Sequence, residues 1–147
     1  MAGVPVVNLK VGYVFVVADL FHAGQLRHLR MAKKLCDFLI VGILSNEAVA
    51  SYKRETIMPF DERVDLINAL DFVDMVVRQD DRDPTETLKR LTEDGWHIDL
   101  LIHADDWSEI PGSDYIKSIG GRVARTPYGT SLTSTTKIIE KIRGKKE

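Results

Sequence analysis

The chain has 147 residues, 44% of them hydrophobic and 29% charged, with a net charge of −2 at neutral pH. That is enough apolar chain for one domain, residues 1–147, with a real core; the missing basic footprint argues against a nucleic-acid or membrane-surface protein. One cysteine, Cys36, excludes an intramolecular disulfide framework and a cysteine-rich metal site, and with no leader-like or membrane-length apolar run the expectation is a soluble, cytoplasmic protein.

Val11 to Val17 is almost wholly apolar and β-branched, the pattern of a strand buried on both faces. From Leu26 the apolar spacing becomes helical, with Leu29, Ala32 and Cys36 on the same face. Asp37 to Leu44 reads as a second buried strand, and Ser45 to Met58 as a polar segment before a helix opened by Pro59 that carries Val64, Ile67 and Leu70. Met75 to Val77 make a short strand. Asp83 caps a helix with Pro84 in its first position and Leu88 and Leu91 facing inward, ending near Gly95. Ile98 to His103 form a fourth strand, Tyr115 to Ile119 a short helix stopped by Gly120 and Gly121, and Arg122 to Ala124 begin a fifth strand. A last helix starts near Ser134 and carries Ile138, Ile139 and Ile142. Strands alternating with helical crossovers predict an α/β, Rossmann-like doubly wound sheet of five parallel strands with helices on both faces.

Two turns stand out within that frame. Asp19-Leu20-Phe21-His22-Ala23-Gly24-Gln25 joins the first strand to the first helix, at the strand end where open α/β sheets bind ligands. Gly24 permits close backbone approach, the free N–H groups opening the helix attract an anion, and His22 adds a ring donor. Arg125-Thr126 and, beyond it, Ser134-Thr135-Thr136 follow the fifth strand and open the last helix with hydroxyl donors. Ordinary helix capping accounts for one such hydroxyl. Two donor-rich helix starts on one sheet edge suggest a shared polyphosphate.

With these residues the chain resembles the small cytidylyltransferases of the nucleotidyltransferase superfamily, which act on glycerol 3-phosphate, phosphocholine, phosphoethanolamine and phosphonates. The landmarks are an HxGH-like segment, here His22-Ala23-Gly24-Gln25 after Asp19, and a lysine, Lys53, ahead of a helix containing Glu62-Arg63. Two more are the G-D-D-W-like His103-Ala104-Asp105-Asp106-Trp107 and an R-T…S-T-T series, here Arg125-Thr126 and Ser134-Thr135-Thr136. The resemblance implies that a phosphate or phosphonate oxygen of a small acceptor attacks the α-phosphorus of CTP and expels pyrophosphate. Mg²⁺ would be bound with the triphosphate, and the active form would be a homodimer.

On that scheme His22, Lys53 and Gln25 serve the phosphates. Arg125, Thr126, Ser134, Thr135 and Thr136 hold the nucleotide, with Gly24 giving backbone access. Asp19 and Asp105 or Asp106 contact ribose or Mg²⁺, or merely cap their loops. Arg54 is left between an exposed bystander and an anion contact, and Arg63 between a salt bridge and a nucleotide contact.

Three features depart from the family pattern: Gln25 replaces the second motif histidine, Val16 replaces a small residue, and four extra residues lengthen the last motif. Gln25 can donate a hydrogen bond but carries no charge and cannot act as a general acid. His28, displaced by about 5 Å along the helix, is expected at the surface. An ATP-using adenylyltransferase and a non-catalytic nucleotide-binding relative remain open alternatives.

Overall fold

The strand and helix order expected from the sequence is present in a computed structural model, which describes residues 8–104, 107–127 and 134–144. The elements are β1 (Val11–Val16), α1 (Ala23–Lys34), β2 (Phe38–Leu44), α2 (Asn46–Ala50), α3 (Phe60–Asn68), β3 (Met75–Gln79), α4 (Thr85–Glu93), β4 (Leu100–Ala104), α5 (Ser113–Ser118), β5 (Arg122–Thr126) and α6 (Thr135–Ile142). The strands form one parallel sheet in the order β3-β2-β1-β4-β5, with Val14 in register with Val41 on one side and Ile102 on the other. Strand order reverses at β1, and it is outside the carboxyl ends of the strands at such a switch point that open α/β sheets bind ligands. No helix among the described residues is long and apolar enough to cross a membrane.

Successive side chains of a strand point to opposite faces, and β1 uses both. Tyr13 and Phe15 pack with Val49 of α2, Leu88 and Leu91 of α4 and Ile116 of α5. Val14 packs on the opposite face with Leu29 and Ala32 of α1 and Ile67 of α3. Burying a Leu or Ile side chain stabilises by about 1.5–3 kcal/mol, which outweighs the few tenths that separate most residues in helix propensity. The sheet therefore decides where the helices lie.

The element boundaries differ from the sequence reading in instructive ways. α2 falls inside the segment read as polar and irregular. A five-residue helix shows too little periodicity to read and is too short to persist alone. Ala48 and Val49 are buried against the sheet, and Ser45 Oγ accepts the Ala48 N–H at 3.1 Å. α1 starts at Ala23 rather than Leu26, because His22 caps it. Cys36 lies just beyond the end of α1, half-buried, and its sulfur fills the space over Gly12, where a Cβ would come within 2.8 Å.

One buried polar bond crosses the core. The Tyr13 hydroxyl donates to Gln79 Oε1 at 2.5 Å, and Gln79 Nε2 donates to the carbonyls of Asp81 and Arg82 at 2.8 and 3.2 Å. Burial pushes the Tyr13 hydroxyl pKa far up, so it remains a proton donor. The ring lies over Gly42, whose added Cβ would sit 1.9 Å from the hydroxyl oxygen. Gly42→Ala is therefore expected to displace Tyr13 and lower stability by roughly 1–3 kcal/mol, as overpacking in a filled core does. Chemical denaturation of the variant measures this, and unchanged stability would show that the core yields at this point.

Candidate functional site

The turn after β1 is strained and held from below. Ala18 and Leu20 have φ of 60° and 48°, in the left-handed region that non-glycine residues rarely occupy. Between them Asp19, 1% exposed, turns its carboxylate to the N–H groups of Ile57 (3.0 Å) and Met58 (2.9 Å). The Asp19 side chain thus caps a neighbouring loop rather than its own. The bonds fasten the β1–α1 turn to the segment leading into α3 and hold the two unusual residues in place.

Arg63 completes this fastening. Its guanidinium is fully buried. Nη1 donates to the carbonyls of Val17 (2.6 Å) and Leu44 (2.8 Å), Nε to Met58 (3.1 Å), and Nη2 to Asn46 Oδ1 (2.7 Å). The sequence left Arg63 between a salt bridge and a nucleotide contact; in the structure its guanidinium closes the carboxyl ends of β1 and β2. Burial pushes its pKa down, the nearby Asp19 charge opposing.

His22 is the N-cap of α1. Its Nδ1 accepts the Gly24 N–H at 3.0 Å, so the neutral ring carries its proton on Nε2. Partial burial lowers the His22 pKa below the ordinary 6.5, favouring that neutral form. Gln25 completes a capping box, its Oε1 accepting the His22 N–H at 3.2 Å. Gln25 Nε2 reaches the Asp19 carbonyl at 3.4 Å and Thr135 Oγ1 at 3.3 Å, and the Thr135 hydroxyl donates to that same carbonyl at 2.8 Å. Gln25 thus joins the amino ends of α1 and α6, which are 110 positions apart in the chain. These are also the two helices with no acidic residue in the first turn, whereas α2, α3, α4 and α5 each carry at least one. The positive ends of both helix dipoles are therefore left uncompensated side by side. Ser134 caps α6 by accepting the Lys137 N–H at 3.1 Å, and Thr136 is exposed at the same helix start.

Lys53 is exposed on the segment after α2. Arg54 lies 3.6 Å from Asp19 through Nη2, while its Nη1 is buried with no hydrogen-bond partner among the described residues. Arg54 is thus partly buried rather than exposed, and it keeps a desolvated donor beside Asp19. Arg125 on β5 reaches over the edge of β4, donating to the carbonyls of Trp107 and, at 2.9 Å, Ser108. Thr126 is buried, with Oγ1 2.5 Å from Nδ1 of His28. His28 is therefore half-buried between α1 and β5 rather than at the surface, a pairing the sequence could not show because the partners are 98 positions apart. Gly24 opens α1 as expected. Asp105 and Asp106, and the segment 128–133, lie outside the described residues.

The cytidylyltransferase-like family model matches residues 17–141. The chain belongs to the cytidylyltransferase-like family. It is 34% identical over 128 residues to a bifunctional protein HldE of Trichlorobacter lovleyi, covering 84% of this chain and 25% of that protein. It is also 34% identical over 97 residues to the ethanolamine-phosphate cytidylyltransferase of Arabidopsis thaliana, covering 65% of this chain and 23% of that enzyme. The chain thus spans about a quarter of the length of these curated relatives. Among solved structures, the lipopolysaccharide core biosynthesis protein of Thermoplasma volcanium superposes with a TM-score of 0.66 at 20% identity, covering 84% of this chain and 99% of that one, a likeness of fold.

The His22 geometry predicts its titration. A folded-state pKa below the unfolded value means that the unfolded chain binds the proton more readily, so His22 contributes stability above pH 6.5 that is lost as pH falls through its folded pKa. Proton–nitrogen NMR is expected to show an Nε2–H tautomer and a midpoint below 6.5. An Nδ1–H tautomer or a raised midpoint would contradict the capping geometry.

Proposed function

We propose that this domain transfers CMP from CTP to a small phosphate- or phosphonate-bearing acceptor, releasing pyrophosphate. The observation that carries the reading is the meeting of the α1 and α6 amino ends, the two helix starts without acidic residues, beside the His22 ring. That arrangement suits a triphosphate better than a single phosphate, since two separate sets of N–H donors face one place. The choice of CTP rests on the family and on the cytidylyltransferase among the relatives.

In this reaction an acceptor oxygen attacks the α-phosphorus in line with the leaving pyrophosphate, and no covalent enzyme intermediate is needed. The protein contributes position and charge stabilisation. His22 donates from Nε2 to a phosphate oxygen, its orientation fixed beforehand by the Gly24 N–H. Lys53, on an exposed segment, closes a point charge onto the phosphates. Arg54 Nη1 supplies the donor that lacks a partner. Gln25 acts by holding α6 against α1, which accounts for a neutral amide where the family pattern has a histidine. Arg125 and Thr126 set the β4 and β5 ends that border the nucleotide.

Among the described residues no three His, Cys, Asp or Glu side chains cluster to hold a metal, and both Asp19 oxygens are committed to backbone N–H groups. Mg²⁺ accordingly enters this proposal bound to the triphosphate, where it would neutralise phosphate charge, as an ion that prefers phosphate and water oxygens does.

The direct test is pyrophosphate release from CTP, and separately from ATP, against a panel of phosphate and phosphonate acceptors. Faster turnover with ATP would move the protein to the adenylyltransferase reading, and no turnover with either would favour a non-catalytic nucleotide binder. His22→Ala removes a preorganised donor worth about 2.7–4 kcal/mol in the transition state, so turnover should fall on the order of a hundredfold or more. Lys53→Ala is expected to lower turnover strongly while leaving thermal stability nearly unchanged, because the side chain is exposed. Gln25→Ala should lower turnover less than His22→Ala but also lower the melting temperature, since it releases Thr135 and opens the capping box. Equal kinetic losses with unchanged melting would place Gln25 on the phosphates instead.

A further inference from the structure

We propose that Arg82 selects the acceptor, and that the acceptor carries a second anionic group, such as a carboxylate, at the end remote from its reacting phosphate or phosphonate. This rests on the transferase reading above and names the substrate class of that site. Arg82 follows β3, and its guanidinium carbon lies 4.7 Å from the ring centre of Tyr52 and 4.6 Å from that of Trp107. Tyr52 immediately precedes Lys53. Trp107 stacks on His103 at the carboxyl end of β4 with centres 4.4 Å apart, and His103 in turn packs on Phe15 of β1 at 4.9 Å. The three side chains therefore stand on the sheet edge that carries the site, between the lysine segment and the loop after β4.

The cation is held in place but left unspent. The Arg82 carbonyl accepts from Gln79 Nε2, and Gln79 is itself fixed by the buried Tyr13 hydroxyl, so the core sets the position of this loop. The neighbouring Asp83 carboxylate turns away to the N–H (2.9 Å) and hydroxyl (2.5 Å) of Thr85. Among the described residues the Arg82 guanidinium makes ring contacts and no hydrogen bond or ion pair. Stacking on aromatic rings orients a guanidinium without using its N–H groups, which stay available for a carboxylate or phosphate in bidentate geometry. Two aromatic rings can also hold an acceptor ammonium. Here the chain's own cation already occupies them, so an acceptor ammonium finds its ring places taken, while Asp81, Asp83, Glu109 and Asp114 line the cavity beside Arg82 and leave its guanidinium as the partner for a negatively charged end.

Calorimetric titration of the CTP-bound protein with three probes tests this: 3-phosphoglycerate, whose far end is a carboxylate; glycerol 3-phosphate, whose far end is neutral; and phosphoethanolamine, whose far end is an ammonium. Binding is expected to weaken in that order, with at least tenfold between first and last. Arg82→Gln, at an exposed position, should bring 3-phosphoglycerate down to the level of glycerol 3-phosphate and leave phosphoethanolamine unchanged or tighter; Arg82→Lys should fall between. The proposal is overturned if phosphoethanolamine binds the wild type as tightly as 3-phosphoglycerate, if Arg82→Gln weakens all three alike, or if none of the three binds. Pyrophosphate release with the same probes reads the transferase function separately. An Arg82-dependent preference without turnover would remove that function and keep the anion site, and turnover without the preference would do the reverse.

Discussion

A single buried guanidinium ties the functional edge of this protein together. Among the described residues Arg63 has no carboxylate in direct contact, and taking a charge out of water costs several kcal/mol unless its donors are satisfied. Four neutral acceptors meet that need: three backbone carbonyls, from the ends of β1 and β2 and the segment before α3, and the Asn46 amide oxygen. Each of those oxygens would be costly to leave dry, so the guanidinium and its acceptors depend on one another. The consequence is mechanical. The two strand ends, the start of α2 and the entry to α3 are fixed at a common point, and Asp19 adds the β1–α1 turn through Ile57 and Met58.

That fastening is what permits backbone strain in the β1–α1 turn. Residues in the left-handed region persist only where surrounding bonds over-determine them, and Ala18 and Leu20 flank a carboxylate that is bonded twice to a distant loop. The turn then delivers His22 to the N-cap of α1 with one ring nitrogen already committed. A ring whose tautomer is set before any ligand arrives loses less freedom on binding than a free one. Gln25 extends the same economy to α6, since the amide that completes the cap also holds Thr135.

The two faces of the sheet divide the work. α1 and α3 lie on one face and bring the capped turn and its arginine fastening. α2, α4 and α5 lie on the other, and there the core bond from Tyr13 through Gln79 sets the loop that carries Arg82. The first arrangement is built on short motifs around one turn. The second is assembled from Tyr52, Arg82 and Trp107, which lie on three separate connections and belong to no contiguous motif. Loops of this kind are where one fold changes its substrate without changing its chemistry.

The sequence by itself determined the parallel α/β sheet and the places where ligand chemistry gathers. Buried β-branched runs alternating with 3.6-residue periodicity leave few topologies, and the donor-rich turns at His22 and Ser134 are local patterns. It also carried the family, because those motifs keep their order and spacing along the chain. It did not show α2, whose five residues are too few for a period, nor the histidine cap that starts α1 early. Only the tertiary structure decided what the charged side chains touch. Arg63, whose role the sequence left open, proves to be fully buried, Asp19 turns its carboxylate to a loop 38 residues away, and His28 meets Thr126 across 98 positions. The reason is physical. Periodicity reports which face of an element is apolar, whereas the partner of a buried polar group is fixed by how elements distant in sequence come to lie side by side.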